Sequence, residues 1–169
     1  MHRSRADGLS GSRRALHNFG SRGFDAAIRL ARINEEAVVK PTLEKAWGYQ
    51  GDAMNLPVRD IATALPFYET VLGFRVLSRR DTPHKSAVLA RDEVQIALAE
   101  NGGDSSQDGC AFHVRELESL FAEFKSHGLQ RELSQFDIEQ HDDVAWKVFY
   151  VVAPDGLCYW FGERQPASS

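Results

Sequence analysis

Hydrophobic and polar positions along the chain repeat one pattern twice. Asn55-Leu56-Pro57-Val58-Arg59-Asp60 leads into Leu65-Pro66-Phe67-Tyr68 and then Leu72-Gly73-Phe74. Cys110-Ala111-Phe112-His113-Val114-Arg115-Glu116 leads into Leu120-Phe121-Ala122-Glu123-Phe124 and then His127-Gly128-Leu129. Each copy has a strand-like run, an acidic residue, apolar positions at helical spacing and a glycine, the order expected of a strand, a helix and a helix stop. Val58 and Asp60 match Val114 and Glu116 at an offset of 56 positions, and Gly73 matches Gly128 at 55. One supersecondary unit used twice in so short a chain predicts a pseudo-symmetric domain with a cleft between its halves.

The first copy predicts a strand at about 52–58, a helix at about 61–72, and strands near 73–80, 86–91 and 93–100. Gly102-Gly103-Asp104-Ser105-Ser106 reads as a polar linker. The second copy predicts a strand near 109–114, a helix near 117–127, and strands near 130–138, 146–153 and 157–163. The first helix would bury Ile61, Leu65, Tyr68 and Leu72, the second Leu117, Leu120, Phe121 and Phe124. Asp60 and Glu116 are expected at the helix starts, where a carboxylate meets free N–H groups and the positive end of the dipole. Ala153-Pro154-Asp155-Gly156 has turn chemistry, and Val148-Phe149-Tyr150-Val151-Val152 has the β-branched and aromatic content of a central strand.

Ahead of the repeat, residues 1–50 read as an extension to a domain spanning 51–166. Residues 1–23 carry Arg, Ser and Gly without a hydrophobic period, a composition expected of disorder. Apolar positions from Phe24 to Val39 predict a short helix that Pro41 would stop. Three readings stand for this stretch: a dispensable extension, an upstream piece carried along ahead of Met54, and an organelle transit peptide.

Charge divides at the same place. Residues 1–50 hold nine Lys/Arg and five Asp/Glu, whereas residues 51–169 hold eleven and nineteen. An acidic main domain argues against nucleic acid and mildly favours cationic ligands. No apolar run approaches the roughly 20 residues of a membrane span, and a cytoplasmic protein is expected. Cys110 and Cys158 belong to no CxxC or Cys/His metal spacing and read as unpaired, buried residues of a reducing compartment.

Two βαβββ units of this length resemble the vicinal oxygen chelate superfamily, which includes glyoxalase I, extradiol dioxygenases, fosfomycin-resistance enzymes and bleomycin-resistance proteins. The resemblance covers about residues 51–164. It rests on Asn55 to Asp60, on Phe67-Tyr68 followed by Leu72-Gly73-Phe74, and on Val152-Ala153-Pro154-Asp155-Gly156 followed by a last strand. The first stretch and Cys110-Ala111-Phe112 are most similar to the bleomycin-resistance branch. The resemblance implies an α+β fold of paired βαβββ modules, each curled into a half-open barrel around a ligand groove, and a homodimer.

Enzymes of that family place metal ligands at inward positions of the first and last strand of each module. Here the corresponding positions are Ala53, Ala97, Gly109 and Trp160, none of which offers a side-chain donor to a hard or borderline divalent cation. The expectation is a metal-independent protein without a cofactor and without catalytic residues, binding an aromatic or cationic small molecule. Asn55, His113, Trp146, Phe149 and Trp160 are the expected ligand-binding residues, because aromatic rings stack on planar groups and hold cations over their faces. His84, His127 and His141 are expected to face solvent. The alternative is a metal-dependent enzyme of glyoxalase or dioxygenase type with a displaced site built on His113 and a carboxylate. A third reading is an accessory module whose extension contacts a partner protein.

Overall fold

The computed structural model describes residues 39–133 and 135–167; the disorder and most of the short helix expected before Pro41 lie outside the described residues. The elements are β1 (Thr42–Gly48), β2 (Leu56–Pro57), α1 (Ile61–Thr70), β3 (Arg75–Arg80), β4 (Ser86–Arg91), β5 (Val94–Ala99), β6 (Gly109–Arg115), α2 (Leu117–Ser126), β7 (Asp137–His141), β8 (Val144–Val152) and β9 (Cys158–Arg164). The linker forms a single 3-10 turn over Ser105–Gln107. Two mixed sheets result, in the orders β2-β5-β4-β3 and β1-β6-β9-β8-β7. Within each copy the first and last strands lie side by side in parallel, β2 with β5 and β6 with β9, and the other pairs are antiparallel. This is the α+β arrangement of two βαβββ modules that the doubled pattern predicts.

Three local expectations are corrected. The extension does not run to residue 50, because Thr42–Gly48 pairs antiparallel with β6 and forms the edge of the five-stranded sheet. A register shift between Leu43 and Lys45 hides this strand from a period-two search. Leu43 pairs with Val114 and Ala46 with Phe112 on the core face, three positions apart, while Lys45 and Trp47 take the opposite face. The strand expected at 52–58 shrinks to Leu56–Pro57. Asp52 Oδ1 accepts from the Met54 N–H and turns the chain there. Asp60 caps α1 as expected, accepting from the Ala62 N–H and the Thr63 hydroxyl. Glu116 does not cap α2 with its side chain: its backbone is left-handed at φ 64°, and its N–H donates instead to Glu163 Oε1.

One hydrophobic core serves both modules. Phe112, Phe161 and Phe149 lie in cross-strand register, each neighbouring pair stacked with ring centroids 5.1 Å apart. Phe121 and Phe124 of α2 meet this ladder edge-on. Cys110 faces this core, whereas Cys158 is one register step away on the opposite face, and both thiols are free. Tyr68 of α1 donates to Asp155 Oδ2 at 2.8 Å and shares a hydrogen bond with Tyr159 of β9, fixing the 153–156 turn against the first module.

Arg91, at the end of β4, is the one buried charged residue among the described residues, 6% exposed. Its Nη1 donates to the Leu72 carbonyl at 2.6 Å, and its guanidinium lies 5.7 Å from the Phe124 ring centre. Its Nη2 lies 2.6 Å from Glu123 Oε2 of α2, a contact ion pair without the alignment of a hydrogen bond. Its Nε donates to Asp92 Oδ2, which also accepts from the Leu43 N–H. One buried cation therefore ties β1, the segment after α1, and α2 together.

Candidate ligand-binding site

The face of the five-stranded sheet opposite the core carries a cavity of about 490 Å³. Register decides what it contains. Successive side chains in a strand alternate faces, and the pairs Trp47–Ala111, Ala111–Trp160 and Trp160–Tyr150 put all four residues on this side. Glu139 and Trp146 are paired in the same way. Tyr49, whose N–H continues the β1–β6 pairing onto Gly109, together with His113, His141 and Cys158, completes the lining. Large rings rise here around a floor of small residues.

Two glycines make the arrangement possible. A Cβ on Gly162 would lie less than 3.0 Å from three carbons of the Trp160 benzo ring, so the indole lies over a bare backbone. A Cβ on Gly109 would meet the Cys158 carbonyl and the Tyr49 ring. Trp146 and Trp160 then approach with centroids 5.6 Å apart, and His113 stacks on Trp146 at 4.2 Å with Trp47 edge-on at 4.4 Å.

Glu139 is the polar hub. Its Oε1 accepts from the Tyr150 hydroxyl at 2.6 Å, and its Oε2 accepts from Trp160 Nε1 at 3.0 Å and lies 2.9 Å from His141 Nε2. Burial pushes the carboxyl up, but hydrogen bonds from Tyr150, His141 and Trp160 outweigh it and hold Glu139 below the usual carboxylate range. Burial and the bond to Glu139 push the Tyr150 phenol up to about 12, and burial pushes Tyr49 up as well. Burial, reinforced by Lys45 and Arg164, lowers His113 below the ordinary imidazole value. At neutral pH the cavity presents one carboxylate, protonated phenols and a neutral His113.

A pH dependence follows from the direction of the Glu139 shift. Its folded value lies below the ordinary 4.5, so the stabilising contribution is fully present above that ordinary value and is lost as pH falls through the folded one. Glu139→Gln flattens the acid limb of the stability curve relative to the parent chain, as measured by urea unfolding between about pH 3 and 6.

Of the residues expected from sequence, His113, Trp146 and Trp160 come together in this cavity. Phe149 does not: it is one residue out of phase with Trp146 and Tyr150 and lies in the core, 1% exposed. Asn55 lies away from the aromatic cavity, its side-chain oxygen accepting from Asn101 Nδ2. His141, expected in solvent, is 56% exposed yet bonds Glu139 at the cavity wall. Trp47, Tyr49, Glu139 and Tyr150 were not anticipated. Strand parity alone would have exchanged Phe149 for Tyr150.

A family model described as Glyoxalase/Bleomycin resistance protein/Dioxygenase superfamily matches residues 51–157. The chain belongs to this superfamily. Among solved structures, one from the mobile metagenome of V. pseudocholerae is 20% identical, with TM-score 0.53, covering 68% of this chain and 94% of its own. An integron cassette protein from the mobile metagenome of V. cholerae is 22% identical, with TM-score 0.51, covering 66% and 92%. A bleomycin-binding protein complexed with bleomycin is 21% identical, with TM-score 0.47, covering 67% and 97%. No curated protein matches the chain.

The glyoxalase/dioxygenase members' metal positions do not suit a divalent cation in this chain. Gly109 and Trp160 lie at the aromatic cavity's sheet face, but glycine has no donor and the indole N–H is committed to Glu139. Ala97, whose N–H bonds the Ala53 carbonyl, lines a separate groove on the other sheet. Among the described residues, no three His, Cys, Asp or Glu side chains gather as a metal-holding group. Nor, among them, is any helix long and apolar enough to cross a membrane.

Proposed function

We propose that this superfamily member is a metal-independent binding protein that holds an aromatic or cationic small molecule against the aromatic face of its five-stranded sheet. One observation carries the reading: three tryptophans and two tyrosines surround a floor that includes Ala111, with a single carboxylate, Glu139, fixed among them. Ring faces of this kind take planar groups by stacking and cations by quadrupole attraction. The superfamily description spans enzymes and resistance proteins, so membership alone does not choose between them. The choice rests on the donor chemistry of the cavity.

The chain contains three tryptophans, Trp47, Trp146 and Trp160, and all three line the cavity. Intrinsic emission therefore reports on the site directly. Titration with quinoxaline, a planar uncharged aromatic, quenches this emission and raises the melting temperature by mass action. Trp160→Ala weakens the binding about tenfold or more. An unchanged affinity in Trp160→Ala, or quenching without a thermal shift, would sink the proposal. A homodimer belongs to the same reading and is supported by the exposure of Trp47 and Tyr49, each 42% exposed at the sheet edge. Sedimentation of the same samples then gives particles of two chains, and a single-chain mass removes that part of the reading.

A further inference from the structure

The chemistry of Glu139 narrows the ligand class. A carboxylate offers about four lone-pair sites, and three polar neighbours already occupy this one: the Tyr150 hydroxyl, the Trp160 indole N–H and His141. What remains is a full negative charge with its hydrogen-bonding capacity nearly used up. Other charged side chains on this sheet face also bear on the cavity from outside its lining: the exposed Lys45 and Arg164 act on His113, and the exposed Asp137 acts on Tyr150.

Three ligand classes fare differently against such a wall. A planar uncharged ring can stack on the indoles but gains nothing from the carboxylate. A primary ammonium feels the charge but must give up water from three N–H groups and finds little free acceptor capacity on Glu139. A quaternary ammonium has no N–H to satisfy, is large and diffuse, and gains both from the ring faces and from the charge behind them. Resting on the binding reading above, we infer that the cavity selects an onium cation, a fully substituted ammonium group, and that Glu139 is the residue that sets this selectivity. Glu139 does so twice over, by its own charge and by fixing the Tyr150 and Trp160 rings that form the walls.

The test is a calorimetric titration of the full chain with three probes: choline, its uncharged tert-butyl isostere dimethylbutanol, and its primary-amine counterpart ethanolamine. Choline binds at least about tenfold more tightly than either of the others, and Glu139→Gln brings choline and dimethylbutanol to similar affinity. Equal affinity of choline and dimethylbutanol for the parent chain overturns the inference. So does a choline preference that survives Glu139→Gln. If that variant does not fold, the three-probe comparison on the parent chain decides alone. Quinoxaline separates the two levels: binding of quinoxaline that depends on Trp160, without a preference for choline, removes the onium selectivity and leaves the aromatic cavity as a binding site. Failure of quinoxaline and all three probes removes both.

Discussion

Replacing Gly162 by alanine lowers the stability of the fold by about 1–3 kcal/mol, the usual cost of forcing an extra methyl into a filled space, and disrupts the aromatic cavity with it. The added Cβ collides with the outer edge of the benzo ring of Trp160, less than 3.0 Å from Cη2, Cζ3 and Cζ2. That ring has little freedom to give way: it is 7% exposed, its N–H is bonded to Glu139, and Trp146 lies beside it. Displacing it breaks the indole–carboxylate bond and tilts one wall of the cavity. Urea unfolding measures the first effect, and quinoxaline titration the second. The mechanism has its own rescue. Phenylalanine lacks the three carbons that collide, so Trp160→Phe combined with Gly162→Ala recovers part of the stability that Gly162→Ala loses. Full stability in Gly162→Ala alone would show that the indole does not lie over the glycine.

The second large effect concerns the buried cation, and here the order of two variants matters more than either size. Glu123→Gln costs about 2–3 kcal/mol, because an arginine cannot discharge itself and stays charged in the core with Asp92 as its one remaining carboxylate partner. Arg91→Met costs less, about 1–2 kcal/mol. It removes the buried charge outright, leaves Glu123, 28% exposed, free to turn to water, and leaves the Leu72 carbonyl short of a donor. If the clamp were an ordinary surface pair, both values would fall below about 1 kcal/mol. The reverse order, with Arg91→Met the more damaging, would mean that Arg91 acts mainly by packing on Phe124 and not by its charge.

The doubled pattern carried the topology, and the reasons are local. Helical spacing of Leu117, Leu120 and Phe124, an acidic cap at Asp60 and the Pro-Asp-Gly turn after β8 all act within a few residues, where sequence and conformation are tightly linked. The cavity was legible only in part. Trp146 and Trp160 stood out as large rings at strand positions, but Phe149 has the same chemistry and differs only in phase. One residue of phase decides whether a ring faces the cavity or the core. Glu139 gave no local sign. Its role exists only because β7 and β8 pair in a register that brings Tyr150 and Trp160 to it. Trp47 was hidden by the irregularity before Lys45, which disguises a strand as an extension.

That irregular first strand has a consequence for how the superfamily diversifies. The matched stretch runs from 51 to 157, yet Trp47 and Tyr49 precede it and Cys158 and Trp160 follow it. Much of the cavity wall is thus drawn from the two margins of the shared scaffold, brought together because β1 and β9 flank β6 in one sheet. Substitutions there reshape the cavity while the doubled framework stays intact. A chain can share the whole doubled framework and still carry its own set of side chains on this face.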